Sequence, residues 1–358
     1  MSPPVGFPAK LTGALAWGPT SFNSNPESYV VKLGHGDIKD IDNALAKFNR
    51  ENASIPHLLP ENFPLSKSLG ERLRGVSESL HNGRGFAVLR GLDPARYSDR
   101  ENVALFVGLS GYVGDKRGFK LNHLYDRTKS SKDPSRLLPP HLPVSMAFHT
   151  DVGGGDNLAL YVQSTSSQGG RILLSSFWQI YNRMLEEYPR YLQLLTENWP
   201  WEDPEGGENA ESVVTNRPIV YYCDNKVQIR FARTFFKGSY FRPRSAGAPD
   251  LTSEQSHALE ILSCLAKEYS IRLTPEPGDI LFVNNLALLH AREAFMDSAN
   301  KRHLIRMSIR DSAKCWEIPE AYRAVFDKKF NVELERQQLW TAEEFETRAD
   351  GDTAPDHD

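Results

Sequence analysis

The chain has 358 residues, 40% of them hydrophobic, enough for one large catalytic domain or two smaller ones. Its formal net charge of −4 and pI near 6.2 leave no basic field to attract nucleic acid or an anionic membrane. No run approaches the ~18 apolar residues of a membrane span, and Cys223, Cys264 and Cys315 share no CxxC or zinc-ribbon spacing, so free thiols in a reducing, cytoplasmic compartment are expected.

Residues 1–30, rich in Pro, Gly and Ser, read as an irregular N-terminal segment, and nothing in them has the basic-then-apolar order of a secretory signal. Ile38, Ile41, Leu45 and Phe48 then recur at helical spacing, with Asp37 placed as an N-cap. A second helix is expected from Leu69, Leu73, Val76 and Leu80, with Gly83 as its stop. GFAVLRG, 85–91, reads as a short buried strand, and VSMAFHTD, NLALYVQS and RILLSSFW continue the β pattern. A helix is expected to include Ile180 to Leu195, and RPIVYYCDNKVQIRFART reads as a hairpin turning at Asp224, Asn225 and Lys226. Leu259, Leu262, Ala266 and Tyr269 mark another helix, opened by a Thr252/Gln255 capping box. Strands resume at DILFVNN, 279–285, and HLIRMSIRD, 303–311. The expected organisation is a single catalytic domain over 31–340, a helical N-terminal part and helical inserts included, with an acidic, disordered tail over 341–358.

In FHTDVGG, His149 and Asp151 are separated by one residue, so on a strand they share a face. An imidazole and a carboxylate side by side supply two ligands of a metal site, and Gly153 to Gly155 let the backbone turn away. The spacing alone is weak: His35-Gly36-Asp37 repeats it where a helix cap is wanted. A third ligand is offered by His290, at the end of PGDILFVNNLALLH, although a satisfied core histidine would look the same. Two histidines and one carboxylate on one side of an ion match the facial arrangement of non-haem Fe(II) oxygenases. Twelve residues on, Arg302, Leu304, Arg306, Ser308 and Arg310 share one strand face, opposite Ile305, Met307 and Ile309. Guanidiniums facing inward would need anionic partners, and a bidentate clamp on a carboxylate suits a 2-oxo-acid cosubstrate. Facing outward, they would be ordinary surface arginines.

These residues resemble the TauD/TfdA group of Fe(II)- and 2-oxoglutarate-dependent dioxygenases, related to clavaminate synthase, and look most like its fungal members. The matching run, from GFAVLRGL through FHTD and GGRILLSSFWQIYN to PGDILFVNNLALLHARE and NKRHLIRMSIRD, spans about residues 84 to 312. The resemblance implies a mainly β chain with flanking helices, folded as a double-stranded β-helix, the cupin-like jelly roll. It implies His149, Asp151 and His290 as catalytic Fe(II) ligands, Arg302 on the distal carboxylate of 2-oxoglutarate, and Arg306 facing an anionic group of the primary substrate. O2 is the second cosubstrate, and succinate and CO2 are released as an unactivated C–H bond is hydroxylated, desaturated or closed into a ring. A small carboxylate-bearing substrate is implied, an amino acid or amino-acid-derived natural product of secondary metabolism; a taurine- or sulfonate-type dioxygenase is the alternative. The departure is Ile172, after Gly169-Gly170-Arg171, where many members carry Thr or Ser; either Ser175 or Ser176 substitutes, or Arg302 holds the cosubstrate with other help.

Two rivals use the same residues: a zinc hydrolase, and a jelly-roll binding protein without catalysis. The expected partner is a small molecule, with no nucleic acid and no membrane; a homo-oligomer is left open. Tyr221, Tyr222, Phe235, Phe236, Tyr240 and Phe241 offer a pocket lining or a plain core, and DPEGGENAE, 203–211, a lid or a solvated loop.

Overall fold

In the computed structural model, which describes residues 2–25, 27–131, 134, 137–203, 213–240, 243–245 and 247–349, the alternation along His303–Arg310 separates two cores. Ile305, Met307 and Ile309 join Leu89, Tyr161 and Phe282 on the outer face of a sheet. Helices His35–Arg50, Lys67–His81 and Asp99–Ser110 cover that face. Leu304 faces the other way, joining Val162, Leu281 and Val283 opposite Ile172 and Leu174 of a second sheet. Each aliphatic or aromatic side chain fully buried this way contributes about 1.5–3 kcal/mol.

The larger sheet has the strand order Val30–Lys32, Phe86–Arg90, Ile280–Asn284, Asn157–Ser164, His303–Arg310, Lys116–Leu124. Only its first pair is parallel. The smaller is antiparallel throughout, in the order Ser270–Leu273, Ile172–Ser176, Leu288–Arg292, Met146–His149. From Lys116–Leu124 to Ile172–Ser176, and again from Ser270–Leu273 to His303–Arg310, the strands of these two sheets alternate between them, as in a double-stranded β-helix. Helices Phe177–Glu187, Pro189–Leu195 and Ser253–Glu268 pack into the inner core, and residues before Val30 add Leu11, Leu15 and Trp17 to it.

Local differences from the sequence reading have local causes. Helix His35–Arg50 starts before Asp37, so Gly34 is the N-cap; Asp37 closes it from the third position, accepting the Gly34 N–H at Oδ2 (2.7 Å). The same carboxylate pairs with Arg72 Nη2 at 3.0 Å, which leaves His35-Gly36-Asp37 a structural element. The helix expected through Ile180 to Leu195 is two helices, because Pro189 has no N–H to donate and moves Tyr188 out of helical geometry (φ −130°, ψ 41°). The hairpin turns on Asp224 and Asn225 alone, both with positive φ, and Lys226 already belongs to the returning strand. The capping box of Thr252 and Gln255 forms as expected.

The tail expected to be disordered from residue 341 is corrected over its first part. Ala342–Ala349 is a helix whose Phe345 is buried against His123 and Tyr125, and Tyr125 Oη donates to Glu346 Oε1 (3.0 Å). The Ala342 N–H adds a bond to Asp99 Oδ2 (2.8 Å), so an aromatic side chain and polar contacts together dock this acidic run. Residues 350–358, and the 203–211 loop beyond Asp203, lie outside the described residues.

Candidate metal centre

His149 ends an edge strand, and its register partner across the smaller sheet is His290. Neighbouring antiparallel positions bring side chains together, and the two imidazole centroids stand 4.3 Å apart. Asp151 follows after the strand has ended, and its Oδ1 lies 3.5 Å from His149 Nε2 and 3.3 Å from His290 Nε2. The three candidate donor atoms all fall within 4.8 Å of one another.

Three contacts shape this constellation. His149 Nδ1 lies 2.7 Å from the Ala147 carbonyl oxygen and donates to it, which leaves the Nε2 lone pair for the centre. Arg306 Nη1 donates to Asp151 Oδ2 at 3.0 Å, so one carboxylate oxygen is engaged and the other faces the imidazoles. Burial alone would raise the Asp151 carboxyl; the Arg306 guanidinium and His290 outweigh it and hold it well below the usual carboxylate range. Burial, then the neighbouring His149, pushes His290 below the usual imidazole value, so its neutral, ligating form prevails. His290 Nδ1 is buried without a hydrogen-bond partner.

The turn after Asp151 needs its glycines. A Cβ on Gly154 would sit 2.3 Å from the Asp151 Cβ, and Gly155, at φ +85°, would put one 2.6 Å from the Phe330 ring. Asn285 fastens the same turn: Asp151 N–H donates to its Oδ1 (2.9 Å), while its Nδ2 donates to the Asp151 and Gly155 carbonyls (2.8 and 3.0 Å). Because Asn285 opens the run into Leu288–Arg292, it ties the aspartate's loop to the strand of His290. The sequence reading passed over Asn285; its only signal was a polar doublet ending an apolar strand.

A cavity of about 590 Å³, its open mouth included, adjoins this centre between the two sheets. Its walls are aliphatic, Leu158, Leu160, Ile172, Leu174 and Val283 among them, and its charged lining is Asp151, Arg292, Arg302 and Arg306. Arg302 is 4% exposed, rests on the Phe295 ring at 5.2 Å, and leaves Nη1 with no protein partner. Burial, then nearby Arg292, lowers its guanidinium to about 9. A buried cation with an orphaned donor in an apolar cavity fits an anionic guest. Arg292 is spent differently: Nη2 donates to the carbonyls of Pro139, Leu142 and Val144 at 3.2, 2.7 and 2.5 Å, fixing the segment that brings Pro140 to the cavity.

Neither serine replaces the expected threonine. Ser175 sits on the strand face opposite Ile172 and Leu174, and Ser176 Oγ donates to the Leu15 carbonyl; Ile172 itself lines the cavity. The aromatic candidates do not line it either: Phe235 and Phe236 are core, Tyr240 is 88% exposed, and Phe241 lies outside the described residues.

Comparison with known proteins agrees with this chemistry. The family model "Taurine catabolism dioxygenase TauD, TfdA family" matches residues 51–308. "Taurine hydroxylase-like protein SAT17" of Stachybotrys chartarum is 33% identical over 356 residues, covering 95% of this chain and 90% of that one. Among solved structures, asparagine oxygenase in complex with Fe(II), 2S,3S-3-hydroxyasparagine and succinate aligns with a TM-score of 0.60 at 14% identity, over 79% of this chain and 93% of that one. The non-heme iron oxygenase OrfP in complex with Fe and alpha-ketoglutaric acid gives 0.59 at 14% identity, over 79% and 94%. At these identities the two structures speak for the jelly-roll fold.

Proposed function

Because the chain belongs to the TauD, TfdA dioxygenase family and is therefore an Fe(II)- and 2-oxoglutarate-dependent oxygenase, we propose that His149, Asp151 and His290 hold the iron and Arg302 the distal carboxylate of 2-oxoglutarate. The supporting observation is the convergence of three donor atoms within 4.8 Å at a cavity that also holds a buried arginine with an orphaned donor. Two imidazoles and one carboxylate suit ferrous iron and leave coordination positions open. Bound iron with 2-oxoglutarate and O2 supplies the oxidising power, releasing succinate and CO2.

The protein's part is placement. Arg306 keeps Asp151 ionised and turned so that Oδ1 faces the histidines. The Ala147 carbonyl fixes the His149 tautomer. Arg302 draws the cosubstrate's far carboxylate to the dry end of the cavity, and the aliphatic wall excludes water around its methylene chain. We assign Arg306 a second contact, with an anionic group of the primary substrate, since it lines the same cavity.

The substrate class we infer is a small carboxylate-bearing molecule, an amino acid or a product derived from one, hydroxylated at an unactivated C–H bond. Asparagine oxygenase, which shares the fold, was captured with a hydroxylated amino acid. A sulfonate is the second reading, favoured by the relative named as taurine hydroxylase-like. Three cysteines without a disulfide, and no helix among the described residues long and apolar enough to cross a membrane, are consistent with a cytoplasmic enzyme.

The test is succinate release over a panel of amino and sulfonic acids with Fe(II), ascorbate and 2-oxoglutarate. At least one member should stimulate release well above the uncoupled background; a flat response across both classes would refute the substrate reading.

A further inference from the structure

The arginine assigned to 2-oxoglutarate rests on an aromatic platform. Arg302 Nη1 is buried without a protein partner, and the guanidinium stands over the Phe295 ring, 5.2 Å from its centroid. Phe295 is 6% exposed, and the Arg292 guanidinium stands over the same ring at 5.0 Å. Burial first, then the charge of Arg292, disfavours the cationic form of Arg302. The negative face of an aromatic ring attracts a cation, most strongly where water is absent. One phenyl ring thus offsets part of the repulsion between two neighbouring guanidiniums.

The ring is itself held in place. Phe295–Met296 pairs antiparallel with Gln168–Gly169, and Gly170 N–H donates to the Ala294 carbonyl at 3.0 Å. Gly170, at φ +71°, lets this ribbon close on the arginine's stem: a Cβ there would sit 3.2 Å from Phe295 Cβ and 3.3 Å from Arg302 Cδ. Phe295 N–H donates to the Pro143 carbonyl at 3.1 Å, in the segment that Arg292 grips through the carbonyls of Pro139, Leu142 and Val144. Two residues on, Asp297 Oδ1 accepts the Arg302 N–H at 2.9 Å. The stretch from Phe295 to Asp297 therefore holds Arg302 at both its side chain and its main chain.

We propose that Phe295 is a positioning residue for the cosubstrate, its ring holding the Arg302 guanidinium where the far carboxylate of 2-oxoglutarate meets it. This rests on the reading that Arg302 binds that carboxylate. Arg302 lines the cavity and Phe295 does not, so the ring acts through the arginine and not on the ligand. An arginine stem has several rotatable bonds, and ordering it on binding costs affinity unless the free protein already holds it. The effect is confined to 2-oxo acids with a far carboxylate, because the end that meets the metal makes no use of Arg302.

The experiment is calorimetric titration of two 2-oxo acids into the full chain loaded with Mn(II). One is 2-oxoglutarate; the other is 2-oxopentanoate, which carries a methyl in place of the far carboxylate. Phe295→Leu and Phe295→Met keep an apolar side chain and remove the ring. In each, 2-oxoglutarate affinity should fall about tenfold, with 2-oxopentanoate and Mn(II) affinities unchanged. Phe295→Tyr keeps the ring and should bind 2-oxoglutarate as the wild type does. Unchanged 2-oxoglutarate affinity in the ring-free variants overturns the proposal. So does an equal loss for the two acids, which would make Phe295 a fold residue only. Arg302→Met tests the reading beneath: if it keeps the wild-type preference for 2-oxoglutarate over 2-oxopentanoate, Arg302 does not hold the cosubstrate. Preference lost in Arg302→Met but kept in the ring-free variants overturns the role of Phe295 alone.

Discussion

Arg306 Nη1 lies 3.0 Å from Asp151 Oδ2, so a strand of the larger sheet orients a carboxylate that faces histidines of the smaller one. Groups that hold a metal ligand in place typically govern affinity 10- to 100-fold. Arg306→Met should therefore weaken Mn(II) binding at least about tenfold, measured by calorimetry without substrate. Affinity equal to that of the wild type would mean that Asp151 is oriented by other groups.

His149→Ala and His290→Ala each remove one donor from a three-donor centre. Succinate release should fall below detection, and Mn(II) affinity should drop with it while the circular dichroism spectrum is retained. Turnover surviving in either variant would take that histidine out of the metal site.

Ile172 lines the cavity beside Arg302 with an aliphatic surface, at the position where the family resemblance implies a hydroxyl. Ile172→Thr keeps the β-branched shape of the strand and restores a donor. A hydrogen bond to a charged group contributes about 1.5–3 kcal/mol, so KM for 2-oxoglutarate should fall about tenfold or more. An unchanged KM would place the far carboxylate beyond reach of residue 172.

Asn285 makes three hydrogen bonds to the metal-loop backbone, all buried. Asn285→Ala strands one N–H and two carbonyls, at a cost of about 1–3 kcal/mol for each group that water does not reach. A lower melting temperature together with weaker Mn(II) binding is expected. A drop in melting temperature alone, with unaltered metal affinity, would make Asn285 a fold residue only.

His303 is pushed down to about 3, by burial first and then by His123, whose Nδ1 is 2.8 Å from its Nε2. A depressed imidazole means that the unfolded chain binds the proton more readily. Stability from this group is complete above the unfolded value near 6.5 and is lost as pH falls from there toward 3. The melting temperature should decline across that window, and His303→Gln should flatten the decline. A parallel profile in the variant would assign the acid sensitivity elsewhere.

Much of this architecture was readable in the linear chain, because alternation and capping are local. The face shared by Ile305, Met307 and Ile309 declared the outer core, and His149 meets His290 across paired strands, whereas Asp151 reaches them from the turn after its strand has ended. What escaped depends on distant partners. Nothing near Arg306 shows that Asp151, 155 positions earlier, is its acceptor. The pairing of Asn285 with the Asp151 loop is equally non-local. Two misses were local and avoidable: Pro189 announces the helix break, and Phe345 gives the acidic tail an apolar face to dock.

Met146–His149 is four residues long and closes one side of the smaller sheet, joined there only to Leu288–Arg292 with an irregular register after His290. A marginal strand like this is prone to fray. An ion gripped by His149 and His290 together would act as a cross-link between the two strands, and sliding by one residue would turn His149 to the wrong side and release it. Loading the metal and setting the strand register are then one event, and the empty enzyme should lose this corner of the barrel first on warming.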